Sequence, residues 1–564
     1  NRRCSSNFNG IGYNAKQSIM VERCIAFTRR MSTSMNGGQS RKNLFQLRHG
    51  HRNGSPISEF LLSSVATACG RVGALEEGKQ AHCIAWKHGF HGDVVLLTSL
   101  VSMYSNCGAI HDARQLFGEM PQKDVVATNN MISGLCSCHL TSDAIRVFSN
   151  MCERDDGSWN SLISGLAQNI DGNSALSFFK RMRVEGVALN LMVLASVLSV
   201  CADLAALSNG RQVHGVAMKH GFELYLPVAN ATLDMYAKSG SMDEALLCFK
   251  NMPVKNVISW TSLIVGYGKQ GLGYEAIKAF EQMEAQGVVP NQVTFLGGLY
   301  ACSHAGLVMQ GWRYFDAMRH KYSITPLREH YTCMVDILAR AGRLNEANDF
   351  VERMPVTLDV KLLTAILSSC CFHRNEQLGR SIGKKLLELQ PREAGAYALV
   401  ANFYGLIGDL DGVANVRKLM MDGGPRKEKA RTWIELNGEV HSFESSDSSH
   451  PAIREIYSYL KNLVERLKKV YGYVPNTGVV MQKVDDQEKE HILMGHCEKL
   501  AIGFGIISTA PGTPIRMVKN LRVCVDCHVF TGLISKIEGR DIVARDSSRF
   551  HHFKGGACSC GNRW

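Results

Sequence analysis

The segment 94–124, VVLLTSLVSMYSNCGAIHDARQLFGEMPQKD, decides the fold of this chain, because it returns at 226–256 as LPVANATLDMYAKSGSMDEALLCFKNMPVKN. Met103, Gly108 and Met120 of the first copy recur 132 positions later as Met235, Gly240 and Met252. Other features return after 101 positions, and both offsets are sums of units of 31 and 35 residues. A period of this length indicates stacked copies of one supersecondary unit.

Apolar residues within one unit recur at helical spacing. The stretch from Trp260 to Tyr267 predicts one helix, and Glu275 to Met283 predicts a second helix after a break at Gly271–Gly273. A helix–turn–helix unit cannot bury its apolar face alone, so nine stacked units would share one continuous core. The sequence therefore predicts an all-α helical-repeat solenoid, a superhelix, over 57–359. A protein scaffold of the tetratricopeptide type follows the same physics, but such arrays keep one period of about 34 residues.

The units resemble pentatricopeptide repeats in the residues Trp159-Asn160-Ser161-Leu162-Ile163-Ser164-Gly165 and Ala245–Pro253. The mixture of unit lengths resembles the plant class of that family that is built from short, standard and long repeats. We divide the array into nine repeats: 59–93, 94–124, 125–155, 156–190, 191–225, 226–256, 257–291, 292–327 and 328–359.

The resemblance implies that single-stranded RNA is the partner, because in this family the fifth and last residues of a short or standard repeat choose one base. One base per helical repeat is a general mode of RNA recognition. The residues concerned are Thr98/Asp124, Asn129/Asp155, Asn160/Asn190, Asn230/Asn256, Thr261/Asn291 and Thr332/Asp359. By the family code they specify 5′-G-U-Y-N-Y-A-N-G-N-N-N-C-3′, with the last C edited. The alternative is that they are ordinary polar positions on helix surfaces.

A second pattern lies near the C-terminus, where His496-Cys497-Glu498 precedes Cys524-Val525-Asp526-Cys527. One His and two Cys can hold a zinc ion and leave its fourth tetrahedral position open for water. Glu498 is placed to move protons without being a ligand. With an apolar helix predicted over 500–507 between the motifs, this is the arrangement of zinc-dependent nucleobase deaminases. Each half alone is weak, because many helices contain His-x-Glu and a lone Cys-x-x-Cys is often half of a structural zinc site.

Residues 360–424 resemble two degenerate helical repeats called E motifs, and 425–564 resemble a DYW-type deaminase domain. The residues that carry the second resemblance are Trp433-Ile434-Glu435, Ser449-His450-Pro451, His496–Glu498, Cys524–His528, Arg549–His551 and Cys558–Cys560. The resemblance implies a smaller α/β zinc-dependent cytidine-deaminase-like domain, with Glu498 as the catalytic proton shuttle. His496, Cys524 and Cys527 would hold the catalytic zinc.

The resemblance also implies a second, structural zinc, and therefore two zinc ions per chain. Its ligands would be His528, His551, Cys558 and Cys560, a closed set without an open position. His552 is a weaker candidate than His551, and an ordinary core histidine is the alternative for either.

The chain departs from the family pattern at a few places. Asn562-Arg563-Trp564 stands where the family has Asp-Tyr-Trp, and Lys429–Thr432 stand where it has Pro-Gly before Trp-Ile-Glu. Cys497 and Gly503 replace the commoner Ser and Ala. The first two departures place the efficiency of catalysis, or the fold of the domain edge, in question.

The basic charge of the chain is concentrated at the N-terminus. Residues 1–56 hold ten Lys/Arg and a single acid, Glu22, so they carry +9 of the net +12. Arg-rich, Ser-rich and acid-poor N-termini are typical of organelle transit segments, and a disordered basic tail is the alternative. Arg2 and Arg3 favour a mitochondrion over a chloroplast. Because the first residue is Asn1, we expect the true start to lie upstream.

Nineteen cysteines without a secretory signal argue against a disulfide scaffold. Most, such as Cys69, Cys201 and Cys302, are predicted to be small core residues. No run of 18 apolar residues is present, so a membrane span is not expected.

Together these observations predict an organellar enzyme that converts C to U in RNA chosen by its own array, acting as a monomer with other editing factors as helpers. The alternative is an RNA-binding specificity factor whose deaminase domain is weak and recruits a separate deaminase.

Overall fold

The fold is that of a computed structural model. The residues that the structure describes are 57–169, 171–391, 394–422, 429–436, 438–477, 480, 484–547 and 549–560. The predicted transit segment, 1–56, and the departure at Asn562-Arg563-Trp564 lie outside these residues.

Paired helices run along the chain from residue 59. They are α1 (Glu59–Val72), α2 (Leu75–Lys87), α3 (Val94–Asn106), α4 (Ile110–Glu119), α5 (Val125–Ser137), α6 (Thr141–Ser149), α7 (Asp156–Gln168), α8 (Gly172–Val184), α9 (Leu191–Leu204), α10 (Leu207–Lys219), α11 (Leu226–Lys238), α12 (Met242–Asn251), α13 (Val257–Lys269), α14 (Gly273–Ala285), α15 (Gln292–Ala305), α16 (Val308–His320), α17 (Arg328–Arg340), α18 (Leu344–Arg353), α19 (Val360–His373), α20 (Glu376–Glu388), α21 (Ala394–Leu406) and α22 (Leu410–Asp422). Gly273, predicted to lie in a break, is instead the first residue of α14.

The repeat of the sequence is also a repeat of side-chain contacts. The chain consists of two compact units, and the first ends at Val200. Each unit contains a histidine–tyrosine contact at the same position of the repeat. In the first unit, His82 Nδ1 lies 2.8 Å from the Tyr104 hydroxyl; in the second, His214 Nδ1 lies 3.0 Å from the Tyr236 hydroxyl, 132 positions on.

Aromatic packing repeats in the same way at the other offset. Phe148 meets Trp159 edge to face at 4.8 Å between ring centroids, and 101 positions later Phe249 meets Trp260 at 4.6 Å. Both tryptophans are fully buried, as edge-to-face aromatic pairs in a core commonly are. Cys69, Cys201 and Cys302 are also buried.

A smaller α/β domain, residues 429–560, follows the helical pairs and confirms the predicted fold class. Its elements are β1 (Arg431–Leu436), β2 (Glu439–Glu444), α23 (Ile453–Tyr471), α24 (Asp486–Met494), α25 (Cys497–Ile507), β3 (Ile515–Lys519), α26 (Val525–Ile537), β4 (Ile542–Arg545), β5 (Phe550–Lys554) and β6 (Ala557–Cys558). The sheet order is β2-β1-β3-β4-β5-β6, with β3 and β4 parallel and the other neighbours antiparallel. The parallel pair needs a crossover between its strands, and α26 supplies it.

Helix α25 lies at the centre of this domain. Its residues Leu500–Ile502 are buried, and they join a core with Leu460 of α23 and Phe530 of α26. The two helices that begin with the sequence motifs, α25 and α26, are therefore fixed by packing along their length.

Within the second unit, the α/β domain contacts the turns between paired helices, a surface we call the turn edge, formed by Ala202, Ser208, Asn209, Lys238–Gly240 and His304. The carboxylate of Glu435 accepts the N–H groups of Ser208 and Asn209 at 2.8 Å each. These residues lie in the first turn of α10, where N–H groups lack helical partners and the helix dipole favours an anion.

Arginines of the α/β domain bind the C-terminal ends of helices in the turn edge. Arg545 Nη1 donates to the carbonyl oxygens of Ala202, at 3.1 Å, and Lys238, at 3.2 Å. Arg516 Nη1 donates to the carbonyl of Ser239 at 3.2 Å. These carbonyls belong to the last turns of α9 and α11, which attract cations.

Among the described residues, no helix has both the length and the apolar character needed to span a bilayer.

Candidate metal centre

The two sequence motifs each occupy the start of a helix. His496 is the N-terminal cap residue of α25, and Cys524 is that of α26. The Cys524 sulfur accepts the N–H of Cys527 at 3.4 Å, which folds the Cys-x-x-Cys into one turn. A helix N-terminus favours a thiolate, because unpaired N–H groups and the helix dipole stabilise negative charge there.

The structure brings His496, Cys524 and Cys527 together. His496 Nδ1 lies 3.6 Å from the sulfur of Cys524 and 3.4 Å from that of Cys527. Zinc bonds of about 2.3 Å to sulfur and about 2.0–2.1 Å to nitrogen at tetrahedral angles place N and S about 3.6 Å apart. Hydrogen bonding between the two thiols lowers the pKa of Cys524 to about 5, although burial acts in the other direction. The donor set and its spacing fit a zinc ion.

Glu498 lies beside this cluster with 1% of its surface exposed, and it forms an ion pair with Lys519 of β3. Burial by itself raises the pKa of a carboxyl group, but the charges of Lys519 and His496 lower the pKa of Glu498 to about 2. The Cys497 thiol, whose pKa burial raises to about 12, lies 3.2 Å from Glu498 Oε2 and donates to it. Glu498 is therefore an ionised proton acceptor held by two partners.

A buried ion pair that sequence reasoning missed joins the two motifs. Lys499 Nζ lies 2.7 Å from Asp526 Oδ2, and the side chains are 2% and 1% exposed. Asp526 Oδ1 also accepts the Tyr473 hydroxyl at 2.8 Å and the Asn476 N–H at 2.9 Å. One residue comes directly after Glu498 and the other lies inside the Cys-x-x-Cys turn, so their contact ties the start of α25 to the start of α26. An acid inside that turn was the signal in the sequence.

The second predicted ligand set also comes together. His528, His551, Cys558 and Cys560 each offer a ligand atom, and these atoms lie within 4.8 Å of one another. His551 Nδ1 is 3.6 Å from the Cys558 sulfur, and His528 Nε2 is 3.2 Å from the Cys560 sulfur. Hydrogen bonding from Cys558 lowers the pKa of Cys560, and the two histidines add to this effect. Two imidazoles and two thiols form a donor set for a closed zinc site.

His552 lies apart from this cluster. It occupies β5 beside His551 but points to the other face of the sheet, as successive strand residues do. Burial lowers the pKa of His552, with Arg516 adding to the effect.

The predicted RNA-reading residues occupy a common place in each helical pair. The last residue of a repeat is the N-cap of the next helix, since its side-chain oxygen accepts a backbone N–H of that helix. The residues concerned are Asp124, Asp155, Asn190, Asn256, Asn291 and Asp359. This capping role was not predicted, although Asp and Asn are preferred caps.

Fifth and last residues meet directly in some pairs. Asn129 Nδ2 donates to Asp155 Oδ1 at 3.2 Å, and Asn230 Nδ2 lies 3.4 Å from Asn256 Oδ1. Arg328 contacts both members of a third pair: its Nη1 lies 3.6 Å from Asp359 Oδ2, an ion pair, and its carbonyl oxygen accepts the Thr332 hydroxyl at 3.0 Å.

Two of the other fifth residues form hydrogen bonds within their helix or to the next repeat. Thr261 and Thr294 share a hydroxyl contact of 2.7 Å, and Asn160 accepts the Ser164 hydroxyl at 3.2 Å. Thr98 is buried at 8% exposure.

One departure from the family pattern has a packing reason. A Cβ at Gly503 would lie 3.1 Å from Leu460 Cγ and 3.2 Å from Ile456 Cγ2, so glycine lets α23 approach α25 closely. Cys497, which contacts Glu498, and Gly503, which packs against α23, therefore both lie in the packed core rather than among the ligands.

Comparison with protein families finds matches along most of the chain. The DYW family of nucleic acid deaminases matches 472–564, and the E motif matches 373–435. The PPR repeat matches 95–125, 126–155, 157–187, 228–257 and 329–356, and a second PPR repeat family matches 255–304. These bounds of the last two domains differ from the 360–424 and 425–564 expected from sequence.

Curated relatives from Arabidopsis thaliana match about nine tenths of the chain. The pentatricopeptide repeat-containing protein ELI1, chloroplastic, is 43% identical over 90% of this chain and 80% of its own length. The relative At2g03880, mitochondrial, is 39% identical over 90% of this chain and 74% of its length. The relative At2g22070 is 41% identical, and the chain spans 64% of its length.

Among solved structures, the pentatricopeptide repeat protein PPR10 from maize is 13% identical, with a TM-score of 0.41, over 72% of this chain and 73% of that one.

Proposed function

We propose, from the premise that this chain belongs to the pentatricopeptide repeat-containing proteins that carry an E motif and a DYW deaminase domain, that it is an organellar enzyme for RNA editing. Its reaction would be the zinc-dependent deamination of cytidine to uridine at a site chosen by the repeat array. The observation that carries the proposal is the cluster of His496, Cys524 and Cys527 with the ionised Glu498 beside it.

In hydrolytic deamination, water adds to C4 of cytosine and ammonia leaves. A zinc ion held by His496, Cys524 and Cys527 would act as a Lewis acid that activates water. Glu498 would accept one proton of the water and deliver it to N3 of the base. It would then take the proton of the new C4 hydroxyl group and pass it to the amine, which leaves as ammonia. The ion pair with Lys519 keeps the Glu498 carboxylate charged before the proton arrives and fixes it in one orientation.

A second zinc ion would be structural. His528, His551, Cys558 and Cys560 provide four ligands and no open position, so this ion would contribute to folding rather than to chemistry. We therefore propose two zinc ions per chain.

The array would bind single-stranded RNA through its fifth and last residues. The N-cap geometry supports this, because it holds each carboxylate or amide at a helix start, next to the fifth residue of the same repeat in the pairs Asn129/Asp155 and Asn230/Asn256. The proposed site is 5′-G-U-Y-N-Y-A-N-G-N-N-N-C-3′, and each matched base would contribute about 1–3 kcal/mol, as base-edge contacts do in other complexes.

The +9 charge of residues 1–56 supports import into an organelle. Relatives are named as chloroplastic and as mitochondrial, and we propose a mitochondrion for this chain because its basic segment is rich in arginine, Arg2 and Arg3 included.

A second candidate function rests on Asn562-Arg563-Trp564, which stands where the family has Asp-Tyr-Trp. A weakened deaminase would leave a specificity factor that binds RNA and recruits a separate deaminase.

The test is editing of a short RNA with the proposed site by the purified full-length chain with zinc. Glu498→Ala should lower the rate at least about 100-fold and keep RNA affinity and zinc content, since general acid–base groups contribute about 10²–10⁴. Glu465→Ala, on the exposed face of α23, is the matched control. Unchanged editing by Glu498→Ala refutes the mechanism, whereas a wild-type chain that binds the RNA without editing it favours the specificity factor.

The array is tested in the same assay with Thr261→Asn combined with Asn291→Asp. By the family code this pair of changes should switch one position from A toward U. A double variant that still prefers A there would show that the repeat register or the carried-over code is wrong.

A further inference from the structure

A buried carboxylate outside both ligand sets contacts a ligand of the second cluster and the residue that directly precedes a ligand of the first. The Asp546 side chain is 2% exposed and follows β4. Its Oδ2 lies 3.3 Å from His551 Nε2 and 3.3 Å from the N–H of Val523, while Oδ1 accepts the N–H of Arg549 at 2.8 Å. We propose that Asp546 is a positioning residue that couples the two metal clusters, an inference that rests on the proposed zinc sites.

The contact with His551 fixes which ring nitrogen faces the second cluster. Nε2 donates its hydrogen to Asp546, so Nδ1, 3.6 Å from the Cys558 sulfur, keeps its lone pair. A histidine that binds metal commonly donates its other N–H to a carboxylate, which sets the tautomer and raises the basicity of the ligand. Asp546 has this relation to His551.

The contact with Val523 reaches the first cluster. Val523 directly precedes Cys524, the N-cap of α26 and a ligand of the candidate catalytic zinc. By accepting the Val523 N–H, the same oxygen that orients His551 also holds the chain that leads into the Cys-x-x-Cys turn. If His551 of the second cluster loses its orientation, Asp546 Oδ2 would therefore shift, and the backbone beside Cys524 of the first cluster would shift with it.

A simpler role for Asp546 is to close the turn between β4 and β5. In that turn the Asp546 N–H donates to the Arg549 carbonyl at 2.9 Å, and Oδ1 accepts the Arg549 N–H. The two roles use different oxygens, so they can be separated. Asp546→Asn keeps an oxygen toward Arg549 and places an NH₂ group, a donor, against the donors on Val523 and His551.

The experiment is a zinc competition on the full-length chain. Zinc-loaded wild type, Asp546→Asn and the control Asp541→Asn, an acid that is 50% exposed in the same domain, are titrated with a chelator while bound zinc is measured. Amide hydrogen exchange around Asp546 and Arg549 in the zinc-free chains is followed in parallel. We expect Asp546→Asn to bind both zinc ions about 10–100-fold more weakly, the usual effect of losing such a partner, while protection of these residues in the zinc-free chain stays at the wild-type value.

Three outcomes would overturn the proposal: both ions held as tightly as in Asp541→Asn, weakening at the second cluster alone, or a loss of zinc-free stability that accounts for the weaker binding. If Asp546→Asn does not fold, Asp546→Glu decides by the same criteria, because it keeps the charge and displaces the carboxylate. A wild-type chain that binds two zinc ions but edits no RNA would refute the proposed function and leave this test intact.

Discussion

Replacing Lys499 by Met is the sharpest test of how the candidate catalytic cluster is held. The change removes the cation that pairs with Asp526 and keeps an apolar side chain of similar length in the space beside Phe530, whose ring lies 4.6 Å from Nζ. What remains is a carboxylate that is 1% exposed and keeps only the hydrogen bonds from Tyr473 and Asn476.

The expected cost follows from burial. Removing one partner of a buried ion pair destabilises a protein by about 3–5 kcal/mol, because the other charge stays buried without compensation. Because Asp526 keeps two hydrogen bonds, we expect Lys499→Met to destabilise the fold by about 3 kcal/mol, the lower end of this range. This free energy corresponds to a change of more than about 100-fold in the equilibrium constant for local opening. The control is Lys468→Met, whose partner Glu490 is 2.6 Å away with both side chains 40% exposed. An exposed pair contributes about 0–1 kcal/mol.

The measurement is amide hydrogen exchange in the full-length chain, since a chain of several folded parts has no single unfolding transition. Lys499→Met should lower protection in the first turns of α25 and α26, where the pair acts, and Lys468→Met should leave both turns protected. Zinc retention against a chelator should fall with protection, because the pair joins the His496 and Cys524–Cys527 segments. Equal protection in the two variants would show that the buried pair does not hold the cluster together.

Two further predictions concern the turn edge. Burial, with the charges of Arg545 and Lys238, lowers the pKa of Lys269 to about 8 from its ordinary 10.5, so contact between the α/β domain and the turn edge should strengthen as pH rises from 8 to 10. Energy transfer between labels on the two parts measures this contact; Lys269→Met should abolish the rise, and a contact that weakens over this pH range would contradict the prediction. Gly240 and Gly108 occupy the same repeat position with φ of +78° and +74°, but only at Gly240 would a Cβ meet Phe550, at 2.9 Å, so Gly240→Ala should loosen the contact and Gly108→Ala should not, and equal energy transfer in both variants would refute the role of this approach.

Most of the helical part could be predicted because its contacts are local and repeat with the sequence. Once His82 and Tyr104 are read as one unit, His214 and Tyr236 follow from the offset of 132. The contact of Glu435 with the start of α10 could not be predicted in this way, since it joins residues more than 220 positions apart that no periodicity relates. Long-range docking depends on the packing of whole domains.

The ligands could be predicted, but most of their supports could not. The types of the ligand residues and their spacing can be recognised in short sequence motifs, and the structure brings the residues of each ligand set together. Lys519 ends β3 and Asp546 follows β4, and neither residue belongs to a ligand motif. The two residues come close to the clusters because β3 and β4 are parallel neighbours in the sheet, a pairing that the sequence does not reveal. Asp526 is the exception, since an acid inside a Cys-x-x-Cys turn is visible in the sequence.

The capping role of the Asp or Asn that ends most repeats explains how an array of this kind could change its RNA target at little cost in stability. Asn291 caps α15 by accepting the Thr294 N–H at 3.0 Å, and Asp155 caps α7 in the same way at 2.7 Å. Asn and Asp are about equal as N-caps, whereas alanine costs about 1 kcal/mol. If these positions read bases, an exchange between Asn and Asp changes the reading group and leaves the helix start intact. At Tyr225, which gives α11 no side-chain cap, no such constraint applies, and the family code is uninformative at this position.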